Sequence, residues 1–386
     1  MTFLYSRIYR IKDFILARLL WIIQHIMWIY PIDNNKVVFS SLNGLYYSKE
    51  PRKISEELHK VKPNTKIIWI LPPNVNCDSY IKQVSPKTFK ALFELSTAKI
   101  WVDNCRKDYW VKKRKQQYYI QTWHGPICLK MVEKDAESTL HHEYILKAIN
   151  DSKNVDLMVA ETNWRKKNME EAFWYSGEIL EAEFKYHTDT DKKNINDRVK
   201  EYFGIDSDVQ IVLYAPTFRK DGDISCYNIN FERMLTALSK RTDSNWRAII
   251  RLHPNVSEKS DNIKYSDTVL DGTKYPDINE LISISDILVS DYSGCIFEGF
   301  KQKKIVWLYA VDYDKYIKKD RNVYFKLDEL PSPLVKSNDE LMELIEKFDV
   351  EKYEIQRNQF VKRIGYYEAD AAKTVTKIIC NKISNN

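Results

Sequence analysis

The chain has 386 residues, a length that usually holds two domains of roughly 150–200 residues each. Hydrophobic residues make up 44% and charged residues 30% of it, which excludes a disordered protein, and six widely spaced cysteines without a CxxC pair exclude a disulfide scaffold or a zinc site. The net charge of +6 favours phosphate-rich substrates or anionic lipid as partners, and no sequence motif points to nucleic acid.

Residues 1–31 are the most apolar part of the chain. On a helix with about 100° per residue, their polar and apolar side chains separate onto two faces. The polar face holds Ser6, Arg7, Arg10, Asp13, Arg18, Gln24 and His25, and the apolar face holds Leu4, Ile8, Ile11, Ile15, Leu19, Ile22, Ile23 and Ile26. The run Phe14–Tyr30 contains polar residues and is too short to span a bilayer. We predict an amphipathic, membrane-associating helix over residues 1–31, and the alternative is a helix packed on the protein's own core.

From Lys36 onwards, short apolar runs alternate with amphipathic segments, a pattern typical of parallel sheets covered by helices. Strands are predicted at Val37–Ser40, Lys66–Leu71, Ile100–Asp103, Tyr118–Thr122, Asp156–Ala160, Val209–Tyr214, Trp246–Leu252, Ile287–Ser290 and Lys304–Leu308. The stretch Tyr186–Arg198 has almost no apolar periodicity, so we predict an interdomain linker there. The sequence therefore predicts an α/β protein with two doubly wound Rossmann-like domains facing a cleft, over residues 32–190 and 199–386.

The first candidate motif is Gln121–Pro126, which follows a predicted strand directly. His124 is expected at the carboxyl end of that strand, where open α/β sheets bind their ligands. A histidine there can act as a general base near neutral pH, and Gly125 allows a sharp turn without a side chain that would block a ligand. The alternative is a histidine that only caps a turn.

The second motif is Tyr214–Arg219, where a proline ends a predicted strand. Beyond Pro216, Thr217 offers a hydroxyl and a backbone N–H, and Arg219 offers a planar fork suited to phosphate oxygens. An ordinary strand exit with a surface arginine is the alternative.

The third motif, Arg251–Pro254, also lies at the end of a predicted strand. Strand alternation places Arg251 and His253 on the same side, where a cation beside a histidine could hold a diphosphate and stabilise the charge of a leaving phosphate. A structural arginine–histidine pair is the alternative.

The fourth motif is Ser290–Gly294, at the start of a predicted helix that continues to Glu298. The unpaired N–H groups of a helix start favour a phosphate, so Ser293 and Gly294 are predicted contacts. Glu298 is predicted to reach a ribose hydroxyl. Simple capping of the helix by Asp291 or Ser293 is compatible with this interpretation.

These four motifs, in this order and spacing, resemble the CDP-glycerol glycerophosphotransferase family of teichoic-acid synthesis. That family carries Trp-His-Gly-Thr-Pro, then Ala-Pro-Thr-[Phe/Trp]-Arg, then Arg-x-His-Pro, then Asp-Tyr-Ser-Ser followed by an acidic residue. The resemblance covers roughly residues 36–365, which is most of the chain.

The resemblance implies a two-domain GT-B fold with an acceptor-side domain at 32–190 and a donor-binding domain at 199–386. It implies transfer of glycerol phosphate, or a related polyol phosphate, from CDP-glycerol or CDP-ribitol to a lipid-linked glycan in teichoic acid or capsule biosynthesis. CMP is released, and no metal or other cofactor is expected. The implied location is the cytoplasmic face of the membrane, with anionic lipid as a partner.

The resemblance also implies roles for individual residues. His124 corresponds to the catalytic base, and His253 to a donor-phosphate ligand or acid. The matching donor-binding positions are Pro216, Thr217, Arg251, Ser293, Gly294 and Glu298, to which the motifs above add Gly125 and Arg219.

The chain departs from the family pattern in one segment that bears on activity. A Gly-x-Pro-Arg-Asn-Asp segment is expected near Glu183–Asp189, and this chain has no arginine there. Lys185 and His187 are the candidates to replace it. Two alternatives therefore stay open, namely a GT-B glycosyltransferase that uses a nucleotide sugar and a non-catalytic member that scaffolds a glycan assembly complex.

Overall fold

A computed structural model describes residues 2–185, 189–217, 219, 227–252, 263–313, 315–316 and 322–384, with the backbone alone for residues 2–14, 189–192 and 384. The chain forms two compact units. The first comprises residues 1–126, 132–186 and 366–386, and the second comprises residues 127–131 and 187–365.

The first unit is built on a seven-stranded sheet in the order β3-β2-β1-β4-β5-β6-β7, with parallel pairing throughout. Its strands are β1 Asp33–Ser40, β2 Lys66–Ile70, β3 Lys82–Val84, β4 Ala98–Asp103, β5 Tyr118–Gln121, β6 Leu157–Ala160 and β7 Glu178–Glu181. Alternate residues of β1 enter two apolar clusters, with Val37 and Phe39 in one and Val38 in the other. Both faces of the sheet are therefore buried, as expected for continuous apolar strands.

Helices cover this first sheet. In chain order they are α1 Thr2–Met27, α2 Lys49–Val61, α3 Phe89–Thr97, α4 His142–Asn154 and α5 Asn163–Ala172.

The second unit is built on a six-stranded parallel sheet in the order β10-β9-β8-β11-β12-β13. Its strands are β8 Gln210–Tyr214, β9 Trp246–Ile250, β10 Val269–Asp271, β11 Ile287–Ser290, β12 Ile305–Tyr309 and β13 Leu334–Val335. Its helices are α6 Asp189–Phe203, α7 Phe231–Thr242, α8 Ile278–Ile284, α9 Cys295–Lys301, α10 Asn338–Lys347 and α11 Val350–Ile364. The strand order reverses beside β8, so the ends of β8 and β11 flank a switch point of the kind at which α/β sheets bind ligands.

The predicted α/β class with two parallel sheets is confirmed, but the predicted linker at Tyr186–Arg198 is wrong in its described part. Residues from Asp189 onwards form α6, which continues to Phe203. Ile195 and Val199 lie four residues apart and are both buried, which is enough to pack this otherwise polar helix on the second unit. Sparse apolar residues concealed the helical period.

The last part of the chain returns to the first unit, whereas the sequence analysis placed all of 199–386 in the second domain. Gly365, with φ of +69°, ends α11, and the final helix α12 spans Ala371–Ser384. Ala371, Val375 and Ile379 join the apolar cluster of β1, and α12 packs beside α2. The apolar residues at every fourth position of α12 thus pack against elements near the start of the chain.

Helix α1 presents apolar side chains to solvent, with Ile15, Leu19, Ile22 and Ile26 all exposed. Gln24, in contrast, is fully buried and makes two hydrogen bonds with the backbone of Lys112, at 2.8 and 2.9 Å. Among the described residues, no helix has the length and apolarity needed to cross a bilayer.

Candidate active site

The loop that carries His124 begins where β5 ends and has an unusual backbone. Trp123 adopts φ of +58° and Gly125 adopts φ of +120°, a value that favours glycine. A bulky residue in the left-handed region costs on the order of 1–3 kcal/mol and persists only where surrounding contacts hold it. Here the Trp123 N–H donates to Gln121 Oε1 at 2.9 Å, and the indole is buried.

The ring of His124 has a defined orientation. Its Nδ1 lies 2.8 Å from the carbonyl oxygen of Asn104. Because a carbonyl can only accept, Nδ1 carries the hydrogen and the neutral ring keeps its lone pair on Nε2. The Trp123 indole stacks on the imidazole at a centroid distance of 4.4 Å, and His124 itself is exposed. This is the tautomer that a general base requires.

The surroundings lower the pKa of His124. Desolvation by neighbouring protein atoms is the largest cause, although the residue keeps an exposed surface. The positive charges of Arg165 and Lys49 lower the pKa further, whereas the hydrogen bond to Asn104 and the charge of Glu133 raise it. The imidazole is therefore predominantly neutral, and able to accept a proton, near pH 7.

Asn104, directly after β4, is held by a buried hydrogen-bond network. Its Oδ1 accepts from the Leu42 N–H at 2.8 Å, and its Nδ2 donates to Ser41 Oγ and to Glu50 Oε2, both at 3.1 Å. Two segments, Ser41–Leu42 and the first turn of α2 with Glu50, thus hold the residue whose carbonyl orients His124. Sequence reasoning missed Asn104, because the atom that contacts the histidine belongs to the main chain.

A second buried cluster supports Trp123. The Arg106 guanidinium pairs with Glu133 at 2.7 Å and with Asp151 at 3.3 Å, and lies over the rings of Trp123 and Phe173 at 5.6 and 5.3 Å. Because its counter-ions are in place, Arg106 acts as a charged platform under the indole that stacks on the histidine. The sequence analysis did not identify this residue.

In the second unit, Arg219 does not present the open fork that was predicted. Its Nε donates to Asp312 at 2.7 Å, its Nη2 donates to Asp291 at 2.8 Å, and its Nη1 donates to the Thr217 carbonyl. The residue is buried, and its guanidinium lies 5.0 Å from the ring of Tyr292. Arg219 therefore fixes the loop after β8 against the end of β11, and its contact with a phosphate stays a prediction.

Two other predicted residues of this unit carry unsatisfied oxygens. Thr217 donates its backbone N–H to Asp291 Oδ1 at 2.8 Å, while its hydroxyl is buried without a hydrogen-bond partner in the described part of the chain. Glu298 Oε2, on α9, is also buried without a hydrogen-bond partner among the described residues. A buried polar atom left unpaired costs about 1–3 kcal/mol, which a ligand could offset.

The start of α9 is open at Gly294. This residue is exposed, and a Cβ placed on it would meet no atom of the described residues within 4 Å. Ser293 Oγ accepts from the Cys295 N–H at 3.4 Å, but the cap position of α9 is occupied by Gly294, so no side chain caps the helix. Pro216 is buried at the exit of β8.

Arg251 lies where the third motif placed it, directly after β9. Its backbone N–H donates to the Tyr214 carbonyl at 2.8 Å, and its Nη1 donates to the carbonyls of Gly272, at 3.2 Å, and Tyr275. These contacts hold the guanidinium at the carboxyl edge of the second sheet. His253 lies outside the described residues.

Comparison with known families decides the class of this protein. The family described as CDP-glycerol:poly(glycerophosphate) glycerophosphotransferase matches residues 22–381. The chain belongs to this family.

This chain matches some of its relatives over almost their whole length and others over less than half of it. A teichoic acid poly(glycerol phosphate) polymerase of Bacillus spizizenii is 28% identical over 382 residues, which cover 94% of this chain and 96% of the relative. The Bacillus subtilis polymerase of the same description is 28% identical over 84% of this chain but only 45% of the relative. A teichoic acid glycerol-phosphate transferase of Staphylococcus aureus is 28% identical over 82% of this chain and 85% of the relative.

A solved structure shares the fold of this glycerophosphotransferase. A variant of the wall teichoic acid polymerase TagF superposes with a TM-score of 0.82 at 24% identity, covering all of this chain and 98% of that one. The likeness confirms a GT-B-like α/β fold with two parallel sheets.

Proposed function

We propose that this chain transfers a glycerol-phosphate unit from CDP-glycerol to a hydroxyl of a lipid-linked glycan acceptor. The observation that carries the proposal is the fixed tautomer of the exposed His124, whose Nδ1–H donates to Asn104. Nε2 accepts the proton of the acceptor hydroxyl, and the resulting oxygen attacks the phosphorus that bears the glycerol. The bond from that phosphorus to the bridging oxygen breaks, and CMP leaves with the electron pair.

The donor nucleotide is assigned to the second unit and the acceptor to the first. The unsatisfied oxygens of Thr217 and Glu298 support a polar ligand there, and the open start of α9 at Gly294 leaves room for one. We assign Arg251, Ser293 and His253, which lies outside the described residues, to the diphosphate. Pro216 is assigned to the shape of the donor site, and Gly125 to the shape of the loop that carries His124. CDP-ribitol is the second donor to be tested.

Membrane association is part of the same proposal. The exposed apolar residues of α1 form a stripe that would enter the headgroup region of a bilayer, and the buried Gln24 attaches the opposite side of the helix to the first unit. Arg114 adds a second attachment, because its Nη2 donates to the Tyr30 carbonyl at 2.9 Å. We place the protein at the cytoplasmic face of the membrane, where it would meet a lipid-linked acceptor.

The experiment is a donor screen that measures nucleotide release in the presence of a lipid-linked acceptor. We expect CMP from CDP-glycerol or CDP-ribitol, and loss of that release in His124→Ala. His59→Ala is the matched control, because His59 stacks on Tyr80 at 3.7 Å within the same unit and takes no part in the proposed reaction. Absence of CMP with both donors contradicts the proposal, and release of UDP or GDP from a nucleotide sugar favours the glycosyltransferase alternative.

A further inference from the structure

Arg165 lies on the first turn of α5, and this turn is bonded to the His124 loop. Thr162, the residue that caps α5, accepts the Arg165 N–H at 2.9 Å. The same hydroxyl donates to the carbonyl of Pro126 at 3.0 Å, two residues beyond His124. One side chain thus connects the helix that carries Arg165 with the loop that carries the proposed base.

The guanidinium of Arg165 is buried without a counter-ion. The residue is 1% exposed, and no carboxylate oxygen of the described residues lies within 4 Å of it. Its Nη1 donates to the neutral amide of Asn168 at 2.7 Å, the Trp164 ring lies 5.1 Å away, and Nε is buried without an acceptor. Arg106, buried in the same unit, has two carboxylates instead.

This arrangement is unfavourable in the ligand-free protein. A buried cation loses its hydration, and only an anion close to it restores the lost free energy. The position on the first turn of α5 adds to the cost, because the amino end of a helix repels positive charge. Among the described residues, the Asn168 amide and the Trp164 ring offset part of this cost but supply no negative charge, so the residue is suited to bind an anion from outside the chain.

We propose that Arg165 binds a phosphate group of the substrate beside His124. A guanidinium matches two phosphate oxygens with parallel N–H groups, and Nε is one of the nitrogens used in such pairs. This inference rests on the proposed transfer reaction, in which a phosphorus atom must lie close to the base. The phosphate is either the one being transferred or one already present in the acceptor chain.

Arg165 and His124 are also coupled through charge. Arg165 and Lys49 lower the pKa of His124, whereas Glu133 raises it. A bound phosphate neutralises Arg165, so its arrival would raise the basicity of His124 when substrate is in place. The coupling gives a readout that a purely structural arginine would not produce.

The first test is an NMR titration of histidine rings with inorganic phosphate, with the His124 signal assigned through His124→Ala. In the wild type we expect phosphate to raise the pKa of His124. In Arg165→Gln we expect a higher starting pKa that phosphate no longer changes. A phosphate response equal to the wild type in Arg165→Gln overturns the proposal.

A matched variant separates charge from packing. Arg357 is also a buried arginine, but it pairs with Glu354 at 3.5 Å in the second unit. Arg357→Gln should keep the phosphate response of His124. If Arg165→Gln fails to fold, Arg165→Lys retains the charge without the fork, and its response to phosphate should be weakened about tenfold in affinity. An unweakened response in that variant contradicts the proposal.

Steady-state kinetics distinguish the two sources of phosphate. A rise of about 10- to 100-fold in the KM for the acceptor alone, in Arg165→Lys, identifies a phosphate of the acceptor. A fall in kcat, or a rise in the KM for CDP-glycerol, identifies the transferred phosphate. If kcat, the KM for the acceptor and the KM for CDP-glycerol are all unchanged in Arg165→Lys, the proposal is overturned. If wild-type protein releases no CMP but His124 responds to phosphate through Arg165, the phosphate site stands and the proposed reaction fails.

Discussion

At the scale of single residues, the site depends on how the His124 ring is held. One nitrogen donates to a main-chain carbonyl, the indole of Trp123 covers one face, and nearby cations disfavour protonation. The carbonyl fixes the tautomer that keeps the lone pair on Nε2, and desolvation together with the nearby cations keeps the ring neutral. The ring is thereby prepared to accept a proton before any substrate binds.

The lowered pKa of His124 predicts the pH dependence of the reaction. The base must be neutral, so activity falls as the pH drops through its pKa. Because that pKa lies below the ordinary value of 6.5, we expect the acidic midpoint of kcat/KM below pH 6.5. The measurement is CMP release across pH, and a midpoint at or above 6.5 contradicts the prediction.

Asn104→Ala tests the orienting network. The substitution removes the bonds to Leu42, Ser41 and Glu50 and frees the carbonyl that holds His124. We expect kcat to fall by about tenfold or more with little change in either KM. Asn35→Ala is the control, because Asn35 bonds the Asn64 carbonyl at an exposed position. Kinetics are compared at a temperature where both variants are folded, and an unchanged kcat contradicts the assigned role.

The ion pairs of Arg219 make their own prediction. Arg219→Met leaves the buried Asp291 and the partly buried Asp312 without the cation that pairs with both, so we expect a loss of about 3–5 kcal/mol in the free energy of unfolding. Arg233→Met breaks an exposed pair with Asp339 and should cost about 0–1 kcal/mol. Urea denaturation of both variants measures the difference. Equal stabilities would contradict the structural role assigned to these ion pairs.

At the scale of elements, the strands and most helices follow from local apolar patterns, and the site residues follow from where those strands end. Residues Ile287–Ser290, for example, form a strand as predicted. Helix α6 was missed because only a few of its residues are apolar. Arg165 was missed because a single sequence does not show that a buried arginine has no carboxylate beside it among the described residues. Asn104 was missed because it contacts His124 through its main-chain carbonyl, which every residue has.

Helix α1 makes a prediction of its own at this scale. Leu19 and Ile22 are exposed on α1, so replacing both by Ser should abolish binding to anionic vesicles without unfolding the protein. Ile355→Ser, on α11, removes an equally exposed apolar side chain and should leave binding intact. Vesicle sedimentation measures the effect, and retained binding in the double variant contradicts membrane attachment through α1.

At the scale of the whole molecule, the two sheets follow from the sequence but the division of the chain between them does not. A local pattern shows that α12 is amphipathic, yet it does not show that its partner is α2, some 310 positions earlier. Residues 127–131 likewise join the second unit, where Lys130 pairs with Val323. Which distant segments pack together depends on the apolar faces of all the elements of a unit, and a local pattern shows only one face at a time.

Ile379→Ala tests this long-range packing. The side chain is fully buried against the first sheet, so its truncation should cost about 2–5 kcal/mol. Hydrogen exchange should show the loss of protection in β1 and β2 while β8 and β9 keep theirs. Weakened protection in the second sheet alone would contradict the assignment of α12 to the first unit.

The return of residues 366–386 to the first unit also sets an order of events during synthesis. On the ribosome, the strands of the first sheet emerge before the second unit, but the helix that completes their apolar cluster emerges only after it. The second unit has all of its segments available before that. The first unit therefore stays incomplete on the nascent chain while the second unit folds. A protein truncated shortly before residue 366 should have only one stable sheet, that of the second unit.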